Sequence, residues 1–120
     1  MFKESFHREP YFTLLPNNYV TLITRFVTLN NRLPVQTERF RDTPRHERIC
    51  TKCNTNDIGD EYHVLFVCPH FKQQRSMYIS KKYWKNPNAV KFRALFSTRN
   101  KKCLVNLVKF IRFVNREFLN

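Results

Sequence analysis

The 120-residue chain carries 22 Lys and Arg against 9 Asp and Glu, a formal net charge of +13. An apolar fraction of 42%, with 12 phenylalanines, excludes a disordered tail and allows one modest packed domain. One glycine in the whole chain argues against a β-rich fold built on tight turns, so the expected class is mainly α.

The charge is unevenly placed. Residues 1–61 hold 9 basic and 8 acidic side chains, whereas Tyr62 to Arg116 holds 13 basic residues and no acid. Such a segment calls for a polyanionic partner or heavy solvation, and RNA or DNA is the leading candidate. The plain alternative is a solvated helical surface. An anionic membrane fits less well, because the cations are spread over several predicted helices. The stretch Phe2 to Leu15 is broken by Lys3, Glu4, His7, Arg8, Glu9 and Pro10 and has no apolar signal core. No segment approaches a membrane span. The expected location is therefore intracellular, nuclear or cytoplasmic, where paired cysteines read as metal ligands before disulfides.

Residues 1–120 read as a single domain, without repeats or linkers. The first predicted helix follows Pro16 and an Asn cap, with Tyr19, Leu22, Ile23, Phe26 and Val27 at helical spacing; Asn30 and Asn31 mark its end. Pro34 and Pro44 punctuate the next stretch, where Val35 to Arg41 forms a short helical turn with Phe40 inward. A second helix starts at Asp60, an N-cap, with Glu61 in its first turn, and stops before Pro69. A third runs from Phe71 to Tyr83, ahead of the breaker Asn86-Pro87-Asn88. A fourth spans Ala89 to Phe96, and the last runs from Lys101 to Phe118 with a broad apolar stripe.

Between the second break and the third helix lies Cys50-x2-Cys53-x9-His63-x4-Cys68. Two cysteines separated by two residues clasp one ion from a tight turn, and zinc favours four such soft or borderline donors. His63 and Cys68 are five residues apart, about 140° around an ideal α-helix, which is poor geometry for a shared ion. Pro69 relieves this by placing Cys68 at the helix exit. The expected architecture is a small helical domain with a CCHC zinc-binding turn plus helix. Its zinc-binding core is 48–70, followed by a basic helical C-terminal segment, 71–120. His70 and His46 remain open as substitutes for one ligand, and a reduced cysteine cluster in the core is the runner-up. Cys103, within an apolar helix, reads as a small buried hydrophobe, and His7 as a surface residue.

Three cysteines and one histidine close a coordination shell, so the expected role is structural. The chain has no HExxH, GxSxG, glycine-rich phosphate loop or zinc-deaminase pattern, and no enzyme activity is expected.

Three stretches carry a family likeness: Leu33 to Phe40, then Arg48-Ile49-Cys50-Thr51-Lys52-Cys53, then Gly59 through Cys68-Pro69, with Arg75 beyond. Together they resemble the zinc-binding region that lies C-terminal to the polymerase domain in reverse transcriptases of non-LTR retrotransposons. The resemblance implies a module that helps a polymerase grip its RNA template or DNA target, with Cys50, Cys53, His63 and Cys68 as zinc ligands. It implies no polymerase activity here, since Tyr-x-Asp-Asp is missing and no two aspartates are adjacent.

Candidate phosphate contacts are Lys52, Lys72, Arg75, Lys81, Lys82, Lys85, Lys91 and Arg93, with Tyr78, Tyr83 and Trp84 placed among them to stack on bases or to pack in the core. Two alternatives are a zinc-stabilised interaction domain docking on a polymerase domain, and an element fragment without retained activity. An exposed apolar patch at Phe110, Phe113 or Phe118 would favour the docking reading.

Overall fold

Proline and asparagine set most of the element boundaries. A computed structural model describes residues 9–28 and 33–118, with backbone alone at 39 and 40. The inferences about His7, about Phe40 and about a helix end at Asn30 and Asn31 fall outside the described residues.

A short helix not foreseen in the sequence, α1 (Tyr11–Leu14), starts at Pro10 and buries Tyr11. Helix α2 (Asn17–Val27) buries Ile23, Phe26 and Val27, the stripe its spacing predicts. No Asn side chain caps it; Pro16, in extended backbone, accepts from the amides of Tyr19 and Val20 through its carbonyl. The prolyl ring presets that entry, so a side-chain cap is not needed. Helix α3 (Pro34–Thr37) and a 3₁₀ turn (Glu38–Arg41) fill the predicted short helical stretch.

Residues 48–59 then fold back on themselves around one antiparallel bridge, Ile49 to Ile58. The Cys50 amide donates to Asp57 and the Gly59 amide to Arg48, both at 2.9 Å. Gly59 is the only glycine because a Cβ there would meet Pro34 Cγ at 2.9 Å and the Cys50 backbone at 3.0 Å. The close approach of two backbones, rather than an unusual φ, demands it.

The predicted helix at Asp60 is present but wound differently. Asp60 Oδ1 accepts from the His63 amide at 2.9 Å, the N-cap bond its position implies. From His63 to Val67 the winding is π, not α. A 3₁₀ turn (Pro69–Phe71) leads into α4 (Lys72–Tyr78). The single helix expected over Phe71 to Tyr83 is in fact two, with α5 (Lys81–Trp84) separate. Ile79 adopts extended backbone between them, so that both Ile79 and Tyr83 point inward. The Trp84 indole N–H donates to the Ile79 carbonyl at 3.0 Å, which satisfies an acceptor freed by the break.

Helices α6 (Ala89–Phe96) and α7 (Lys101–Glu117) match their predicted spans, and Asn88 and Asn100 cap them through bonds from the Lys91 and Cys103 amides. Helix α7 is the central element: Leu104, Leu107, Val108, Phe110, Ile111 and Val114 are buried, and α1, α2 and α4 pack on it. Two aromatic runs attach the π turn to this core. Tyr62, Phe66, Phe92 and Phe96 touch in series and reach Phe26 on α2. Phe71 meets Phe110, Phe113 and Phe118 from the other side. The protein is thus mainly helical, and among the described residues no strand extends beyond the one bridge.

Because Phe71 is fully buried with three aromatic neighbours, Phe71→Ala is expected to lower stability by about 3–5 kcal/mol. Chemical denaturation measures this, and a loss under about 1 kcal/mol would contradict the packing described.

Candidate metal centre

The back-folded 48–59 segment and the π turn face each other, and each supplies two ligands. Cys50 and Cys53 come from the segment; His63 opens the π turn and Cys68 follows it. One donor atom from each of the four lies within 4.8 Å of all the others. Two sulfurs each bonded to a tetrahedral ion at about 2.3 Å stand about 3.8 Å apart. The Cys50 and Cys68 sulfurs are 3.8 Å apart, and Cys53 Sγ lies 3.4 Å from His63 Nε2. These two distances match the donor spacing of a tetrahedral metal–thiolate centre.

The π turn resolves the spacing problem. In an i→i+5 helix, residues five apart stack along the axis. The Cys68 amide donates to the His63 carbonyl at 2.7 Å, so the two ligands lie on one side of the turn. Pro69 contributes less by letting Cys68 swing back toward His63 than by removing the N–H that would continue the helix.

The surrounding polar groups hold the sulfurs and the ring. The Lys52 amide points at Cys50 Sγ at 3.4 Å, and the Thr55 hydroxyl is 3.2 Å from Cys53 Sγ. His63 is buried, and its Nδ1 makes no hydrogen bond; the Asp57 carboxylate lies 3.8 Å away on that side. Nε2 therefore faces the sulfurs while Nδ1 faces an acid, the usual orientation of a ligating imidazole.

Electrostatics follow from this crowding. A hydrogen bond from Cys68 outweighs burial and pulls the Cys50 thiol down to about 4, while the same pairing, with burial, pushes Cys68 up. Burial opposes ionisation of Cys53, but the Thr55 hydroxyl and amide and the His63 ring overcome it and lower that thiol too. Burial disfavours the charged His63 ring, yet Cys50 and Cys53 hold it above its ordinary value. The crowding thus favours the thiolate, the form that binds metal, at Cys50 and Cys53, while Cys68 holds its proton.

The rival histidines are elsewhere. His70 Nε2 is 2.8 Å from Glu117 Oε1, and His46 is exposed on a 3₁₀ turn. Cys103 is half-buried against the core, as expected; burial pushes its thiol up.

Among the predicted phosphate contacts, Lys72, Lys81, Lys82, Lys85 and Arg93 are exposed. Three others are engaged within the protein, and one of them, Arg75, is buried away from any phosphate. Arg75 is 3% exposed, and its guanidinium donates to the carbonyls of Leu65, Val64 and Cys68 at 2.6, 3.0 and 2.9 Å. Burial draws it down to about 10, and the Cys68 charge partly restores it. Lys91 Nζ donates to the Lys85 and Asn86 carbonyls, closing the α5–α6 turn. Lys52 is half-buried with Nζ over the Phe118 ring, 5.4 Å from its centre. Tyr83 is buried and the Trp84 indole is tied to Ile79, so these two rings serve packing before stacking. The apolar patch that would favour docking is not formed by the three phenylalanines named for it: Phe110 is buried, and Phe113 and Phe118 are half-buried around Phe71.

The sequence carried a partial signal for Arg75. It falls on the buried stripe Phe71, Arg75, Ile79, at steps of four, where a solvated arginine has no place. Gly59 and Asp57 gave no comparable signal, because their roles depend on the back-folded segment meeting the π turn.

Cys50→Ser and Cys68→Ser are each expected to abolish stoichiometric metal binding and to lower the melting temperature sharply, since metal affinity and folding are coupled. Gly59→Ala is expected to cost about 1–3 kcal/mol through overpacking against Pro34 and Cys50. Elemental analysis and thermal melts check these; unchanged melting of both cysteine variants would refute a structural metal.

Comparison with family models, with curated proteins and with solved structures returned no match.

Proposed function

We propose that the protein is a nucleic-acid-binding module whose fold is fastened by one structural zinc ion. The observation that carries the zinc reading is the convergence of three sulfurs and one imidazole within 4.8 Å, with the Cys50 and Cys68 sulfurs 3.8 Å apart. Zinc is favoured over harder divalent ions by the sulfur-rich donor set and the tetrahedral arrangement. Four protein ligands leave no open position, so the ion would stabilise rather than react. The resemblance of the protein's motifs to the zinc-binding region of non-LTR reverse transcriptases supports RNA or DNA as the partner.

The nucleic-acid reading is supported by unopposed cations. Helices α5 and α7 begin with Lys81-Lys82 and Lys101-Lys102, all exposed, where helix dipoles already disfavour positive charge. Those two helix starts are neighbours: Cys103, beside Lys102, is close enough to Lys82 and Tyr83 for both to favour its thiolate. An open groove of about 300 Å³ between α4 and α7 adds Ser76, Ser80, Asn100 and Asn106 next to Lys102. A stable fold that gathers like charges this way gains from a polyanion that neutralises them. Among the described residues no helix is long and apolar enough to cross a membrane.

Purified protein is expected to hold one zinc per chain and to bind single-stranded RNA or DNA with affinity that falls steeply with salt. Replacing Lys81, Lys82, Lys101 and Lys102 by Gln is expected to flatten the log Kd against log salt slope by about 3, at about 0.7 per phosphate contact on single strands. Metal content and circular dichroism should stay unchanged in that variant. Binding that is indifferent to salt, or a slope untouched by the four replacements, would refute the nucleic-acid reading.

A further inference from the structure

Arg75 is a buried cation without a carboxylate partner among the described residues, which is a costly arrangement in a domain of this size. Its position follows from the end of the π turn. The Val64 carbonyl, at i→i+5, would take the N–H of residue 69, and Leu65 would take the same N–H at i→i+4. Residue 69 is Pro69, which has none. The Cys68 amide is already committed to His63. Two carbonyls of the ligand-bearing turn are therefore left without backbone donors. Arg75 supplies them, with Nε on Leu65 and Nη2 on Val64, and Nη2 also reaches the Cys68 carbonyl.

Three neutral carbonyls take three of the five N–H groups of the guanidinium but do not neutralise it. A neutral donor such as Gln would serve two of the three carbonyls at a smaller desolvation cost. The charge has a counterpart only if the adjacent ligand cluster becomes negative. A divalent ion held by three thiolates and a neutral imidazole carries one net negative charge.

We propose that Arg75 is the positioning residue and the counter-charge of the metal centre: it fastens the carbonyls of the turn that carries His63 and Cys68 and offsets the excess negative charge of the loaded site. This rests on the reading of the four-residue cluster as a zinc site. Arg75 thus belongs to the metal centre's own architecture and makes no contact with nucleic acid.

The test is metal affinity, measured with zinc against a chromophoric chelator and with cobalt by its visible spectrum. Arg75→Met is expected to weaken zinc binding about 10- to 100-fold, in the range for groups that support metal ligands, while keeping a tetrahedral cobalt spectrum. A cycle then separates charge from scaffolding. Cys53→His removes one thiolate and makes the loaded site neutral, and Cys53 is the most exposed of the four ligands. In that background the Arg75→Met penalty is expected to shrink by about tenfold or more. An equal penalty in both backgrounds would show that Arg75 only clamps the backbone and would overturn the proposal. If Arg75→Met does not fold, Arg75→Lys and Arg75→Gln decide. The lysine variant is expected to bind zinc at least about tenfold more tightly than the glutamine variant, and equal affinity overturns the charge role. Failure of the zinc reading itself is distinct, because the unmodified protein would then bind neither zinc nor cobalt.

Discussion

A hydrogen bond from the Cys68 amide to the His63 carbonyl, closing an i→i+5 turn at 2.7 Å, organises the molecule around it. An α-turn there would send Cys68 away from His63 and leave Cys50 and Cys53 facing half a site. The π turn stacks the two ligands and shifts Val64, Leu65 and Phe66 into the core in the same movement. It leaves carbonyls short of donors, and Arg75 answers that deficit from the next helix. Such turns are seldom favoured by local energetics, and tertiary contacts hold this one in place.

Those contacts come from opposite sides. Asp60 caps the entry, and the series Tyr62, Phe66, Phe92, Phe96 and Phe26 anchors the turn to α2 and α6. Phe71, directly beyond the exit, is set among Phe110, Phe113 and Phe118 of α7 and its C-terminal end. Lys52, between the two segment cysteines, lies over that same Phe118 ring. The site is consequently continuous with the core. A domain of this size buries a limited apolar area, and a metal joining the 48–59 segment to the π turn would add to it where the chain is least regular.

Charge divides along the same line. Acids cluster with the ligands: Asp57 faces His63, Asp60 caps the turn and meets Arg45, and buried Glu61 accepts from Gln36. Beyond Tyr62 the cations have no acids until Glu117. Two of the eight proposed phosphate contacts proved to be carbonyl donors, Arg75 and Lys91, while the starts of α5 and α7 each present an exposed lysine pair.

The ligand quartet, the amphipathic stripes of α2 and α7, the caps at Asp60, Asn88 and Asn100, and the lopsided charge are all local properties. Each depends on residue type at short spacing, and the amino-acid sequence by itself determined them. Tertiary structure decided the rest. The π winding, the split at Ile79, the close approach that demands Gly59, the choice of His63 over His70 and His46, and the burial of Arg75 all depend on which segment meets which. Spacing along a chain limits which groups can share an ion. Only packing between distant segments settles whether a five-residue step is wound to bring them together, and whether a cation beside them faces solvent or the metal centre.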